Sequence, residues 1–188
     1  MKYFYLSLAA AAAMSLVGCG VLPSASGNAR VEPTHEEAAG SKFVARNHEA
    51  VNRLVAGLVV ANQAETPVLV ATVVNVNDLR RTAPLGRTLS EQYASRMVAN
   101  GFNVKEIKLR GDVFVREETG ELMLSREVKD IAKMHNASLV LVGTYSAAAQ
   151  LTYVSLKLVR TDTGQIVRGH DYALPNDADV NALLQVAK

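Results

Sequence analysis

The chain has 188 residues, a formal net charge of +2 and a single cysteine. This length suits one folded domain, and a lone cysteine excludes a disulfide within the chain. The basic residues are scattered among acidic ones, which argues against a nucleic-acid partner, because binding a phosphate backbone needs a concentrated positive field.

The first segment has the pattern of a secretory signal peptide. Lys2 supplies a positive start, residues 6–17 are almost entirely apolar, and a small residue precedes Cys19. This run is too short and wrongly flanked for a typical transmembrane helix. The tetrad Leu16-Val17-Gly18-Cys19 resembles the bacterial lipobox, in which the cysteine sulfur receives diacylglycerol and the new amino group is acylated after cleavage. The sequence therefore predicts a signal peptide over residues 1–18 and lipidation of Cys19 (S-diacylglycerol, N-acyl).

The lipid anchor determines the predicted location. Each buried methylene is worth about 0.8 kcal/mol, so two or more acyl chains anchor a protein stably where one does not. Gly20 stands where an aspartate would resemble an inner-membrane retention signal. We therefore expect a lipid-anchored protein of the bacterial outer membrane, with its soluble domain in the periplasm. Residues 19–40 are predicted to be the lipidated N-terminus and a flexible tether, since the segment after Cys19 has few large apolar side chains.

The folded domain is predicted to cover residues 41–188. Apolar residues at helical spacing predict a first helix over 41–62, closed off by Pro67. The nearly continuous, β-branched run at 68–76 predicts a strand that is covered on both faces. A polar loop then leads to a helix that ends at Asn100-Gly101. Its apolar face is predicted from residues at four-residue steps, Leu85, Leu89, Tyr93 and Met97.

The second half of the domain is predicted to contain more strands than helices. A strand is expected at 104–109 and two short strands within 113–124, around Glu118-Thr119-Gly120. Ser125 can cap the next helix, which Asn136 ends. The remaining segments are predicted to be strands at 138–145, 151–159 and 165–174, followed by a short helix at 177–187. This order predicts an α/β fold with a single mixed sheet and helices packed on it.

No pattern of residues points to catalysis or to a cofactor. The histidines lack metal-ligand spacing, the serines lack a nucleophile-elbow context, and the glycines do not form a phosphate loop. We therefore expect no enzyme activity, no metal and no cofactor. Two features remain open. Gly86-Arg87 could form a tight turn into a helix or hold an anion at its N-terminus, and Arg80-Arg81 could be solvated or could contact an acidic partner or lipid headgroups.

The block LGRTLSEQYASRM at residues 85–97, together with the preceding strand at 69–76, resembles the FlgO family. These are lipoproteins of the bacterial outer membrane associated with flagellar motility. The resemblance covers about residues 47–174, and its most distinctive part is Gly-Arg-Thr-Leu-Ser-Glu-Gln at 86–92. The later hairpin, with Thr163-Gly164 between its strands, also resembles the domain of curli-secretion lipoproteins and of lipoprotein activators of peptidoglycan synthases. That wider similarity implies the α/β fold but not a role.

The FlgO resemblance implies a non-enzymatic lipoprotein that supports flagellar assembly, stability or motility, with flagellar basal-body or envelope proteins as partners. The alternative is a periplasmic adaptor that acts on a peptidoglycan synthase or a secretion pore. At about 5–6 Å times the square root of its residue count, the tether averages only a few nanometres, which is short for reaching an inner-membrane enzyme. Contact with a partner is predicted at Arg80, Arg81, Arg87 and Glu91.

Overall fold

The computed structural model describes residues 32–59, 64–79, 83–107, 114–116 and 122–185. These residues form five helices and eight strands. The helices are α1 (His35–Ala39), α2 (Lys42–Val55), α3 (Pro84–Ala99), α4 (Arg126–Met134) and α5 (Ala178–Leu184). The strands are β1 (Pro67–Ala71), β2 (Val74–Asn75), β3 (Asn103–Ile107), β4 (Phe114–Arg116), β5 (Leu122–Leu124), β6 (Leu139–Ala147), β7 (Leu151–Arg160) and β8 (Ile166–Pro175).

Six of these strands form one mixed sheet with the order β3-β1-β6-β7-β8, in which β2 also pairs with β6. Strand β1 is parallel to both of its neighbours, whereas β6, β7 and β8 run antiparallel to one another. Strands β4 and β5 form a separate antiparallel hairpin whose predicted tip lies outside the described residues. The predicted mixed sheet is therefore confirmed.

The sheet separates two apolar cores. Val70, Leu141 and Leu156 contribute to the core that contains residues of α2, α3 and α5. On the opposite face, Leu69 and Val140 belong to a second core with the buried face of α4. Because successive side chains of a strand point to opposite faces, β1 buries all five of its residues and β6 buries its first five. Their continuous apolar sequence follows from this burial on both sides.

Helix α3 has the predicted apolar face, with Leu85, Leu89, Tyr93 and Met97 each fully buried. The helix begins at Pro84, a residue favoured in the first helical turn, and Ala83 occupies the N-cap position. The stop at Asn100-Gly101 is confirmed, because Gly101 has a φ of +83°. The Phe102 N–H then donates to the Met97 carbonyl at 3.2 Å.

Three boundaries of helices and strands in the first half of the domain differ from those predicted from the sequence. Helix α2 ends at Val55, since Gly57 has a φ of +68° and turns the chain out of the helix. Pro67 is the first residue of β1, so it does not serve to close the preceding helix. The single strand predicted at 68–76 is divided into β1 and β2. Within the predicted tether, α1 is a short helix without a buried residue.

The later elements follow the sequence pattern closely. The Ser125 hydroxyl accepts a hydrogen bond from the Val128 N–H at 3.3 Å and caps α4 as predicted. Asn136 has a φ of 51° just beyond this helix, and Gly164 has a φ of +76° in the turn between β7 and β8. The Asp177 carboxylate accepts from the Val180 N–H at 2.9 Å and caps α5. Among the described residues, no helix is both long enough and apolar enough to cross a bilayer.

Candidate functional site

Helix α3 presents a row of exposed side chains on the side opposite its buried face. We call Arg87, Glu91, Ser95 and Val98 the outer row; each is exposed, and Val98 retains 56% of its surface. Their spacing of three and four residues places them along one line of the helix. The Ser95 hydroxyl donates to the Glu91 carbonyl at 3.0 Å and so turns toward its own helix. The structure thus brings together two of the residues predicted to contact a partner.

The other predicted site residues cannot be compared with this row. Cys19, Arg80 and Arg81 lie outside the described residues. The polar loop in which the arginine pair was predicted leads to Ala83, the N-cap of α3. Lipidation of Cys19 and partner contact at the arginine pair therefore stay predictions.

Most of the distinctive 86–92 block serves packing. Ser90 is buried, and its hydroxyl accepts from the Val73 N–H at 2.9 Å while donating to the Gly86 carbonyl at 2.7 Å. This pair of bonds satisfies the backbone at the break between β1 and β2. Gly86 lies in the first turn of α3, where its N–H donates to the Ala83 carbonyl at 3.0 Å. Within this block, Arg87 and Glu91 are the residues with exposed side chains.

A buried polar network lies beneath the outer row and joins α2, α3 and β8. Asn47 is fully buried, and its amide donates to the Gln92 side-chain oxygen at 2.6 Å. The Asn47 oxygen accepts from the Tyr172 hydroxyl at 2.6 Å. Since the single Tyr172 proton is used in that bond, the Tyr93 hydroxyl donates to the Tyr172 oxygen. These bonds fix the position of α3, and with it the outer row, relative to the sheet.

The sequence patterns did not predict this network. A signal was nevertheless present, because Asn47 precedes Val51 and Leu54 at helical spacing and so interrupts the apolar face of α2. A buried polar side chain needs hydrogen-bond partners. The identity of those partners is not encoded locally, since Tyr172 is 125 positions away in the sequence.

Burial shifts the ionisation of both tyrosines in the network. Burial raises the pKa of Tyr93 well above its ordinary value of 10.0, and charge on the neighbouring Tyr172 would raise it further. Burial also raises the pKa of Tyr172. Both phenols therefore remain protonated near neutral pH and act as hydrogen-bonding groups within the core.

We expect the free energy of unfolding to fall as the pH rises above about 10, the ordinary tyrosine pKa. In the unfolded chain both phenols ionise near that pH, whereas the folded protein holds their protons, so alkali favours the unfolded state. This stabilisation is complete below the unfolded-state pKa and is lost as the pH approaches the raised folded-state values. Urea titrations at several alkaline pH values would measure how steeply the free energy of unfolding falls with pH, which we call the alkaline slope.

Two phenylalanine variants test the origin of that slope. Tyr172→Phe should reduce the alkaline slope, because one of the two phenols with a raised pKa is gone. Tyr153→Phe is the matched control, because it removes a hydroxyl from a side chain that lies outside the network and retains 54% of its surface. Equal slopes for the wild type and Tyr172→Phe would contradict the assignment.

The described residues contain no group of three or more His, Cys, Asp and Glu side chains arranged to hold a metal ion. Every buried side-chain nitrogen or oxygen in this part of the chain has a hydrogen-bond partner. His135 is the C-cap of α4 and is half-buried, with its Nδ1 atom 3.4 Å from Lys105 Nζ. The polar groups of the interior are thus engaged with one another.

Comparison with known proteins confirms the family resemblance and the fold. The family model described as FlgO protein matches residues 48–179. No protein of curated function matches the sequence significantly. The LpoB C-terminal domain from Salmonella enterica superimposes with a TM-score of 0.51 at 15% identity, over 71% of this chain and 98% of that one.

Two further solved structures show lower structural similarity. The LpoB C-terminal domain from Escherichia coli has a TM-score of 0.48 at 15% identity, over 71% of this chain and 98% of that one. A PelC dodecamer from Paraburkholderia phytofirmans has a TM-score of 0.44 at 14% identity, over 68% of this chain and 86% of that one. Because identities this low establish no shared role, the Salmonella domain supports the fold alone.

Proposed function

This chain belongs to the FlgO family, as the match over residues 48–179 shows, and we propose that it is a non-enzymatic outer-membrane lipoprotein supporting flagellar assembly, stability or motility. The family match is the observation that carries the proposal. It spans most of α2, the whole of α3 and α4, and the complete mixed sheet. In this proposal Cys19 carries the lipid anchor and the domain lies in the periplasm.

The use of the buried polar groups supports a non-enzymatic role. Catalytic groups with shifted pKa values are expected to face a cleft where substrate can reach them. Here the hydroxyls of Tyr93 and Tyr172, the tyrosines with raised pKa, bond to each other and to Asn47 on the face of the sheet that packs against α2 and α3. The pKa of each tyrosine is raised because packing α2 and α3 against the sheet buries its hydroxyl.

The outer row of α3 is the proposed contact surface for a basal-body or envelope protein. Arg87 and Glu91 place opposite charges one helical turn apart, and Val98 adds an exposed apolar side chain. A non-obligate protein interface is about as apolar as the rest of the protein surface, so a row that combines charged side chains with an exposed apolar one suits it. The network through Asn47 holds the outer row in a fixed position on the domain. Binding a partner there would therefore cost little conformational entropy.

Loss of the protein should impair swimming and leave growth rate and cell shape largely intact, because the proposed role is mechanical support at the envelope. The measurement is the swimming speed and soft-agar spreading of a deletion strain, with a wild-type copy restoring both. A deletion strain that swims normally but synthesises its cell wall abnormally would contradict the flagellar role and favour the adaptor acting on a peptidoglycan synthase.

Two sets of charge reversals test the contact surface in the same strain. Arg87→Glu with Glu91→Arg should lower motility while circular dichroism and thermal unfolding remain those of the wild type. The matched control is Asp130→Lys with Lys133→Asp, an exposed pair of opposite charges on α4. If cells with either variant swim equally well, the outer row is not the contact surface.

Cys19→Ser should abolish acylation and move the protein from the outer-membrane fraction to the inner membrane or the soluble periplasm. The reason is that stable anchoring depends on the acyl chains, and serine lacks the thiol that forms the thioether. Fractionation combined with intact-mass measurement tests this. A wild-type protein without acyl mass, together with a variant that still sediments with the outer membrane, would overturn the anchor.

A further inference from the structure

The face of the sheet that packs with α4 carries a shallow groove farther along β6, β7 and β8. The groove has a volume of about 650 Å³. Near α4 this face is apolar, with Val140 paired to Val159. Side chains on this face form rows of cross-strand pairs. The second row beyond Val140-Val159 is Thr144-Ser155, and here the face becomes polar and carries the groove. Its lining residues are Val76, Thr144, Tyr145, Ser146, Tyr153, Val154, Ser155, Asp171, Tyr172 and Ala173.

Strand register places the polar side chains of the groove in neighbouring rows. Thr144 pairs with Ser155, and Ser155 pairs with Asp171, so two hydroxyls and a carboxylate follow one another across three strands. Neighbouring strands lie about 4.8 Å apart, so one small polar ligand could reach all three groups. The next row contains Ser146 and Tyr153.

Tyr153 gives the groove an aromatic surface. Its side chain retains 54% of its surface although it is the third residue of a ten-residue strand that pairs with a neighbour on each side. A tyrosine ring offers an apolar face for stacking and a hydroxyl for hydrogen bonding. Ala173, its partner on β8, is too small to cover the ring.

We propose that this groove binds a neutral saccharide chain, with Tyr153 stacking on a sugar ring and with Thr144, Ser155 and Asp171 hydrogen-bonding its hydroxyls. A sugar ring presents C–H groups on its faces and hydroxyls around its edge, which matches an aromatic ring beside a row of hydroxyls and a carboxylate. A carboxylate accepts hydrogen bonds from two hydroxyls and makes them stronger than neutral pairs.

The charges of the groove select against anionic ligands. Asp171 places a negative charge among the lining residues, which would repel phosphate, sulfate or uronate groups. Lys157 pairs with Gly169 in the neighbouring row on the same face. Its positive charge offsets the negative charge of Asp171 without reversing it. A neutral ligand rich in hydroxyls is therefore the complement of this surface.

The test is a titration of the full-length lipoprotein, held in a detergent without a sugar headgroup. The probes are cellotetraose, maltotetraose and tetra-N-acetylchitotetraose, which are neutral, and tetragalacturonic acid as an anionic tetramer of similar length. Saturation-transfer difference NMR reports the bound sugar protons, and calorimetry gives the Kd. We expect at least one neutral tetramer to bind with a Kd of about 0.1–1 mM, as suits an open groove, and the galacturonate to bind more weakly.

Substitutions in the groove tie that binding to the proposed residues. Tyr153→Thr and Asp171→Asn should each weaken it about tenfold, which corresponds to about 1.4 kcal/mol. Threonine is chosen at position 153 because it keeps a good strand former there. The control Asp179→Asn, an exposed carboxylate on α5, should bind like the wild type.

Three results would overturn the proposal. The first is that none of the neutral tetramers binds at millimolar concentration. The second is that tetragalacturonic acid binds as tightly as the best neutral tetramer. The third is that binding persists unchanged in Asp171→Asn and Tyr153→Thr while both remain folded by circular dichroism.

Discussion

Replacing Leu89 with alanine is expected to lower the free energy of unfolding by about 2–5 kcal/mol. The Leu89 side chain is fully buried in the core between the sheet and helices α2, α3 and α5. Truncation removes apolar contacts and leaves a cavity that the surrounding side chains fill only in part. Domains are typically stable by about 5–15 kcal/mol, so this loss is a large fraction of the total. Urea unfolding followed by circular dichroism measures it.

A matched substitution on the same helix separates burial from helix propensity. Val98→Ala removes apolar atoms from a side chain that retains 56% of its surface, so the change should stay within about 0.5 kcal/mol. If Leu89→Ala also cost less than about 0.5 kcal/mol, this face of α3 would lie in solvent. That result would contradict the described packing of the helix.

Asn47→Ala is expected to cost about 2–4 kcal/mol, because two hydrogen bonds of the buried network are lost together. The substitution leaves the Tyr172 hydroxyl and the Gln92 side-chain oxygen without their partner on α2. A buried polar group without a partner costs about 1–3 kcal/mol, and the half-buried Gln92 recovers part of its loss from water. The measurement is again the free energy of unfolding from urea titration.

A double-mutant cycle tests whether the residues act as one network. The cost of Asn47→Ala should fall in a Tyr172→Phe background, since phenylalanine no longer needs the Asn47 oxygen. If the loss of stability in the double variant equals the sum of the two single losses within about 0.5 kcal/mol, the residues act independently. Asn52→Ala is the control, because Asn52 is half-buried and its oxygen accepts hydrogen bonds from the Arg96 Nε–H at 2.7 Å and from the Asn100 amide at 3.1 Å. Its loss should cost less, because water can replace these bonds.

The local pattern of the sequence determined most of the helices and strands. The four-residue apolar steps of α3, the Ser125 cap and the turn at Gly164 all depend on neighbouring residues. Helical periodicity, side-chain capping and positive φ are short-range effects, so they can be read along the chain. The exposure of Arg87 and Glu91 follows from the same periodicity, since they lie opposite the apolar steps.

The tertiary structure decided the features that depend on distant residues. The strand predicted at 68–76 is divided because Ser90, 17 positions beyond Val73 in the sequence, binds the Val73 N–H. The Asn47 network needs Tyr172, and the polar groove needs the register of three strands. Strand order and register arise when the two cores pack on opposite faces of the sheet, and no single segment encodes them. The sequence by itself therefore determined the family, most of the helices and strands, and the exposed row of α3, while long-range packing decided how these elements are joined and where the groove forms.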